Sequence, residues 1–165
     1  MISDGDSRRN ALRDAIRLET DGRDFFLKAS EKTSDYFGRI IFRSLAEEEC
    51  RHIERINAID RSLGEKGEWP FPEGGAEERG ENIFEKARKQ MDETVRDRTD
   101  DLAAVKIAMD LEEKGIQYYS DLAAKAADPR ERQFYERLAA EEKRHLEILE
   151  NTWSTIAEHG SSAID

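Results

Sequence analysis

The stretch Leu138-Ala139-Ala140-Glu141-Glu142-Lys143-Arg144-His145 has a near copy upstream, Leu45-Ala46-Glu47-Glu48-Glu49-Cys50-Arg51-His52. The offset is 93 positions, and at that offset Asp14–Ile56 lies over Ile107–Leu149 without a gap. Ala15/Ala108, Leu18/Leu111, Glu19/Glu112, Gly22/Gly115 and Asp35/Asp128 are identical, and Phe25/Tyr118 and Phe26/Tyr119 keep their aromatic character. A repeat of this length means that one supersecondary unit occurs twice.

Apolar spacing identifies the unit. Ala11, Ile16, Leu18, Phe25, Phe26 and Ala29 recur at helical intervals, which predicts a helix from about Ser7 to Thr33. Asp35 is a capping residue for a second helix reaching about Leu63, with Ile40, Ile41, Leu45, Ile53, Ile56 and Ile59 as its stripe and Gly64 as its stop. A third helix is expected from Thr99 or Asp100 to Ala127. Asp128-Pro129 starts a fourth, with an acceptor at the cap and proline at the first helical position, ending near Gly160. Each unit is thus a helix, a tight turn and a helix. Two such hairpins, about 7–64 and 99–160, joined by a long crossover over 65–98, make an all-α four-helix bundle in one domain. Breakers gather in Gly64–Gly80, and a short crossover helix is expected over about Asn82–Arg96.

Composition agrees. Charged residues reach 39% and prolines only 3, a helix-forming mixture. The formal net charge of -11 disfavours nucleic acid and anionic membranes as partners. One cysteine, Cys50, excludes an intrachain disulfide and a CxxC metal or redox motif. No apolar run approaches the ~18 residues of a membrane span, and Met1–Asp6 lacks the features of a signal peptide, so the cytoplasm is the expected compartment.

Each repeat carries a lone glutamate on its first helix and Glu-x-x-His on its second: Glu19 with Glu49 and His52, Glu112 with Glu142 and His145. Residues three apart share a helix face. In an antiparallel hairpin, residues equidistant from the turn lie at one height. Positions 19 and 49 centre on 34, and 112 and 142 on 127, which are the two turns already inferred from capping. All six side chains therefore fall in one layer, about 22 Å from the turns at 1.5 Å per residue. Four carboxylates and two imidazoles buried together would repel and lose hydration. Two divalent cations balance the four negative charges, and neutral imidazole is a common ligand.

These segments, with Leu111-Glu112-Glu113-Lys114-Gly115-Ile116-Gln117-Tyr118-Tyr119, resemble the rubrerythrin-like branch of the ferritin-like superfamily over nearly the whole chain. The resemblance implies that Glu19, Glu49, His52, Glu112, Glu142 and His145 are ligands of a di-iron centre. It implies reduction of hydrogen peroxide or dioxygen, and a homodimer. Two features depart from the pattern. Full-length relatives carry a four-cysteine rubredoxin centre, which one cysteine cannot build, so electrons are expected from an external donor protein. Rubrerythrins proper also have an extra glutamate three residues after the third-helix ligand, where this chain has Gly115.

Other residues are weighed individually. Tyr119 lies seven residues after Glu112 and can donate to a ligand carboxylate or serve as a core aromatic; Phe26, its counterpart, can only pack. Cys50 turns about 100° from the ligand beside it and is assigned to packing. His159 is read as non-ligating; Glu48 and Glu141 can touch the ligands, with a solvated or interhelical salt bridge the preferred reading; Trp69 and Phe71 are read as a cover for one bundle end, with a partner site as the alternative. Manganese and zinc are possible substitutes for iron. Ferroxidase or iron-handling activity, and a metal-stabilised binding module without turnover, are the competing functions.

Overall fold

A computed structural model describes residues 4–71 and 99–161. Four helices make up the bundle: α1 (Asp4–Lys32), α2 (Tyr36–Lys66), α3 (Thr99–Lys125) and α4 (Pro129–Ser161). α1 packs most extensively on α2, and α3 on α4, so the two hairpins read from the repeat are the two tightly packed units. The helix expected over 82–96 and the side chain of His159 lie outside the described residues.

Both turns form as their capping residues dictate. The Asp35 carboxylate accepts from the Phe37 amide at 3.0 Å, and that of Asp128 accepts from the Arg130 amide at 2.9 Å. Each turn is also clamped by the opposite hairpin, from repeat-equivalent positions. Asp101 on α3 accepts from the Ser34 and Asp35 amides, both at 3.3 Å, and from Ser34 Oγ at 3.1 Å. Its counterpart Arg8 on α1 lies 2.9 Å from Glu131 and 3.7 Å from Asp128. The position is shared while the charge is inverted, because one clamp holds amides and the other holds carboxylates. α1 and α3 therefore run in opposite directions, with the turns at opposite ends.

The apolar core is split in two. Phe26, Phe37, Ile41, Phe42, Leu45, Val105, Leu149 and Ile156 fill the end holding the first turn. Leu12, Ile56, Leu63, Trp69, Tyr119, Tyr135 and Leu138 fill the other. Trp69 covers that second end, buried edge-on against Phe134 and Tyr135 with the Arg8 guanidinium 5.2 Å from its ring. Phe71 does not share in the cover: it is 80% exposed and touches only the Arg130 guanidinium among the contacts described.

Three boundaries differ from the sequence reading. α1 begins three residues earlier, at Asp4. α3 stops at Lys125, two residues short of Ala127. α2 continues through Gly64 to Lys66 and is closed by Gly67, whose φ of 68° is left-handed and whose amide donates to Leu63 O at 3.0 Å. Gly64 has a packing reason instead: a Cβ there would lie 3.3 Å from the Arg9 guanidinium, which reaches back to Asp60.

Candidate metal centre

Between the two apolar clusters lies a polar layer. Glu19, Glu49, His52, Glu112, Glu142 and His145 are each at most 4% exposed, and they come from all four helices. His52 Nδ1 lies 3.1 Å from Glu19, 3.3 Å from Glu142 and 3.7 Å from Glu49. His145 Nδ1 lies 3.1 Å from Glu49 and 3.4 Å from both Glu112 and Glu142. The six side chains thus form two overlapping groups, Glu19/Glu49/His52/Glu142 and Glu49/Glu112/Glu142/His145, each with its donor atoms within 4.8 Å of one another. Glu49 and Glu142 belong to both groups and stand between them. The two imidazole rings stack at 5.5 Å and 12°.

The donor set fits cations better than it fits itself. Glu49 Oε1, Glu112 Oε1 and His145 Nδ1 approach one another closely yet are buried without an aligned hydrogen bond. Such buried acceptors are costly unless their lone pairs find a positive partner. Imidazole nitrogen and carboxylate oxygen together suit iron, manganese or zinc.

Electrostatics in the metal-free layer show the same tension. Burial and the charge of Glu142 push Glu19 and Glu112 well above the usual carboxylate range. Burial acts to raise Glu142 too, but contacts with Glu112 and the two histidines hold it low. Burial and the charge of Glu142 also act to raise Glu49, which contacts with Glu19, His145 and His52 hold down. Burial would depress both imidazoles, and the surrounding carboxylates override it and raise them. Protons and cations therefore compete for this layer.

Two further groups orient the layer. Tyr119, fully buried, donates its hydroxyl to Glu19 Oε1. Glu141 Oε2 lies 2.8 Å from His52 Nε2, on the side of the ring opposite the cluster. Glu141 is held there by Arg55, which donates at 3.2 Å and through a second, shorter contact, and by Arg137 at 3.3 Å. The sequence reading preferred a salt bridge for Glu141 over contact with a ligand; Glu141 makes both. The approach to His52 is an ion-pair distance and not an aligned hydrogen bond, since His52 Nε2 is among the buried atoms without one; it places a carboxylate behind the ring, where it can orient a metal-binding imidazole. Among the described residues, the counterpart Glu48 pairs locally, with Arg51. Cys50 is half-buried and outside the cluster, as expected.

A cavity of about 200 Å³ opens between α1 and α3. Repeat-related pairs line it: Leu18 and Leu111, Gly22 and Gly115, Glu19 and Glu112, with Glu49 and Glu142 at its floor. Asp21 and Lys114, both exposed, stand at its rim.

An all-α bundle of two hairpins with a mid-bundle carboxylate–histidine layer defines a ferritin-like protein with a metal-binding core. The family model described as Rubrerythrin matches residues 10–152, and the chain belongs to that family. Neither the curated proteins nor the solved structures yield a match. Among the described residues, no helix is long and apolar enough to cross a membrane.

Proposed function

We propose that this chain holds two iron ions, with Glu19, Glu49, His52 and Glu142 facing one and Glu49, Glu112, Glu142 and His145 the other. On this reading it is a cytoplasmic homodimer that reduces hydrogen peroxide, or dioxygen, with electrons from an external donor protein. The observation that carries the reading is the shared position of Glu49 and Glu142, since each lies within 4.8 Å of the donor atoms of both groups. Two carboxylates so placed would help to hold both ions. Bound there, an iron pair supplies the two electrons that break an O–O bond.

The chain's own residues do the rest. The cavity gives a small ligand a path between α1 and α3 to the shared carboxylates. Apolar clusters on both sides of the layer keep bulk water out, which strengthens each electrostatic contact inside. Tyr119 fixes Glu19 by its hydrogen bond, and Glu141 orients His52. Conversion of one hydrogen peroxide to two waters consumes two protons and two electrons. The electrons must come from a centre outside these residues, because Cys50 alone cannot hold an iron–sulfur group.

The test combines metal analysis of protein purified without air with anaerobic reduction and stopped-flow mixing. Two irons per chain and faster oxidation by hydrogen peroxide than by dioxygen are expected. Oxidation no faster with peroxide would overturn the peroxidase reading. Growth of a large iron-filled assembly on iron loading would favour storage instead.

A further inference from the structure

The cavity reaches past the four glutamates that would hold metal to an apolar lining. Its volume of about 200 Å³ exceeds the roughly 150 Å³ that accommodates benzene in an engineered protein core, whereas one water occupies about 30 Å³ of liquid. Its polarity is also unevenly distributed. Leu18, Leu111, Phe26 and the two glycines give it an apolar lining, while its polar lining is the four glutamates of the layer and the exposed Asp21 and Lys114. A ligand matching that distribution has a hydrocarbon body and a small neutral polar head.

Gly22 and Gly115 create this space. A Cβ on Gly115 would lie 3.4 Å from Glu142 Cγ and Cδ and 3.7 Å from Leu18 Cδ2. One on Gly22 would lie 3.8 Å from Glu49 Oε2. Any longer side chain at either position would therefore reach over the shared carboxylates. Glycine inside a helix costs about 1 kcal/mol relative to alanine, and here it leaves open the one face of the layer that the cavity reaches.

We propose that the cavity receives the hydrocarbon group of an organic hydroperoxide, with the O–O group at the carboxylate floor. This rests on the peroxide-reducing reading above and widens its substrate class to alkyl and aryl hydroperoxides. The hydroperoxide ROOH takes two electrons from the reduced site and two protons. Its O–O bond breaks, one oxygen leaves as water and the other remains in the alcohol ROH. An external one-electron carrier protein restores the two electrons.

The test mixes the reduced, iron-loaded chain anaerobically with hydrogen peroxide or with cumene hydroperoxide. Cumene hydroperoxide is expected to oxidise the site with saturation and to yield one 2-phenyl-2-propanol per site. Gly22→Leu should lower the ratio of the cumene hydroperoxide rate to the hydrogen peroxide rate by about tenfold or more, as filling an apolar pocket does. A readout without turnover is titration of zinc-loaded protein with 2-phenyl-2-propanol, followed by the NMR methyl shifts of Leu18 and Leu111. Saturable shifts are expected, and Gly22→Leu should abolish them. Should Gly22→Leu fail to fold or load metal, Gly115→Ala should shift the ratio the same way by less. Oxidation by hydrogen peroxide alone, an unchanged ratio, or no alcohol binding overturns the inference and leaves the peroxide reading standing. Inertness to both hydroperoxides overturns the peroxide reading and this inference with it.

Discussion

Replacing Tyr119 by phenylalanine removes one oxygen from a fully buried ring and leaves its stacking on Tyr135, at 6.2 Å and 17°, in place. What is lost is the hydrogen bond to Glu19. Without a cation, burial and the charge of Glu142 raise Glu19 and so disfavour its charged form as the acceptor of that bond. A bond to the neutral form contributes about 0.5–1.5 kcal/mol, or roughly 1–6 °C in Tm for a chain of this size. With a cation bound, Glu19 is a carboxylate, and the same hydroxyl then contributes about 1.5–3 kcal/mol. Affinity reads the difference between the two states, about 1 kcal/mol, so the variant should lose roughly five- to tenfold in affinity at the group containing Glu19 and His52. The other group has no hydroxyl to lose, because Phe26 occupies the repeat-equivalent position. Competitive titration of the metal-free variant with zinc against a chelator should thus become biphasic, with one step near its original affinity and one weakened. Equal weakening of both steps, or a change below about twofold, would refute the argument that Tyr119 acts through Glu19.

Four further outcomes are expected. Metal uptake should release protons, since Glu19, Glu112, His52 and His145 are all raised in the metal-free layer; calorimetry in buffers of different ionisation enthalpy measures the number. Those raised groups stabilise the metal-free fold below their unfolded values of 4.5 for glutamate and 6.5 for histidine, and that stability is lost as pH rises through the folded values. Glu49 and Glu142, held low, lose theirs only as pH falls below 4.5, so the metal-free Tm should decline from mildly acidic to alkaline pH while metal affinity climbs. Glu141→Gln should weaken metal binding by about 10- to 100-fold by loosening His52, seen in the same chelator titration, with an unchanged affinity counting against the orienting role. Gly67→Ala should cost about 1–2 kcal/mol from its left-handed φ alone, because no atom lies within 4 Å of the added methyl; chemical denaturation measures it.

The layer was legible in the sequence because the repeat made two independent estimates of one geometry. Glu19 and Glu49 had to meet if the turn lay at Ser34-Asp35, and Glu112 and Glu142 if it lay at Ala127-Asp128; the caps at Asp35 and Asp128 form there. The same tool ranked Glu141 too low: contact with a ligand was open for it and for Glu48, and a salt bridge was preferred for both. The counterpart Glu48 makes a local pair with Arg51 among the described residues, so comparing the repeats suggested a common, ordinary role for both. The approach of Glu141 to His52 crosses from α4 to α2, and helical spacing carries no information about which residue of a neighbouring helix stands behind a ring. Gly64 was misread for a related reason. Glycine serves either a left-handed backbone or a close side chain, and only the position of Arg9 distinguishes the two. Gly22 and Gly115 were visible as a matched pair, but the cavity they leave depends on how α1 and α3 approach each other.

The overlap of the two donor groups bears on how such a chain arises. Each imidazole faces two carboxylates from its own hairpin and a third from the other. Two identical copies of one hairpin, assembled about a twofold axis, would supply the same six groups, but only at concentrations high enough to meet. Fusing the copies makes that encounter intramolecular, at an effective concentration of order millimolar. Fusion also frees the halves to diverge, which a symmetric ancestor forbids. Tyr119 opposite Phe26, Glu141 opposite Glu48 and Asp101 opposite Arg8 are differences that only a covalently joined pair can inherit.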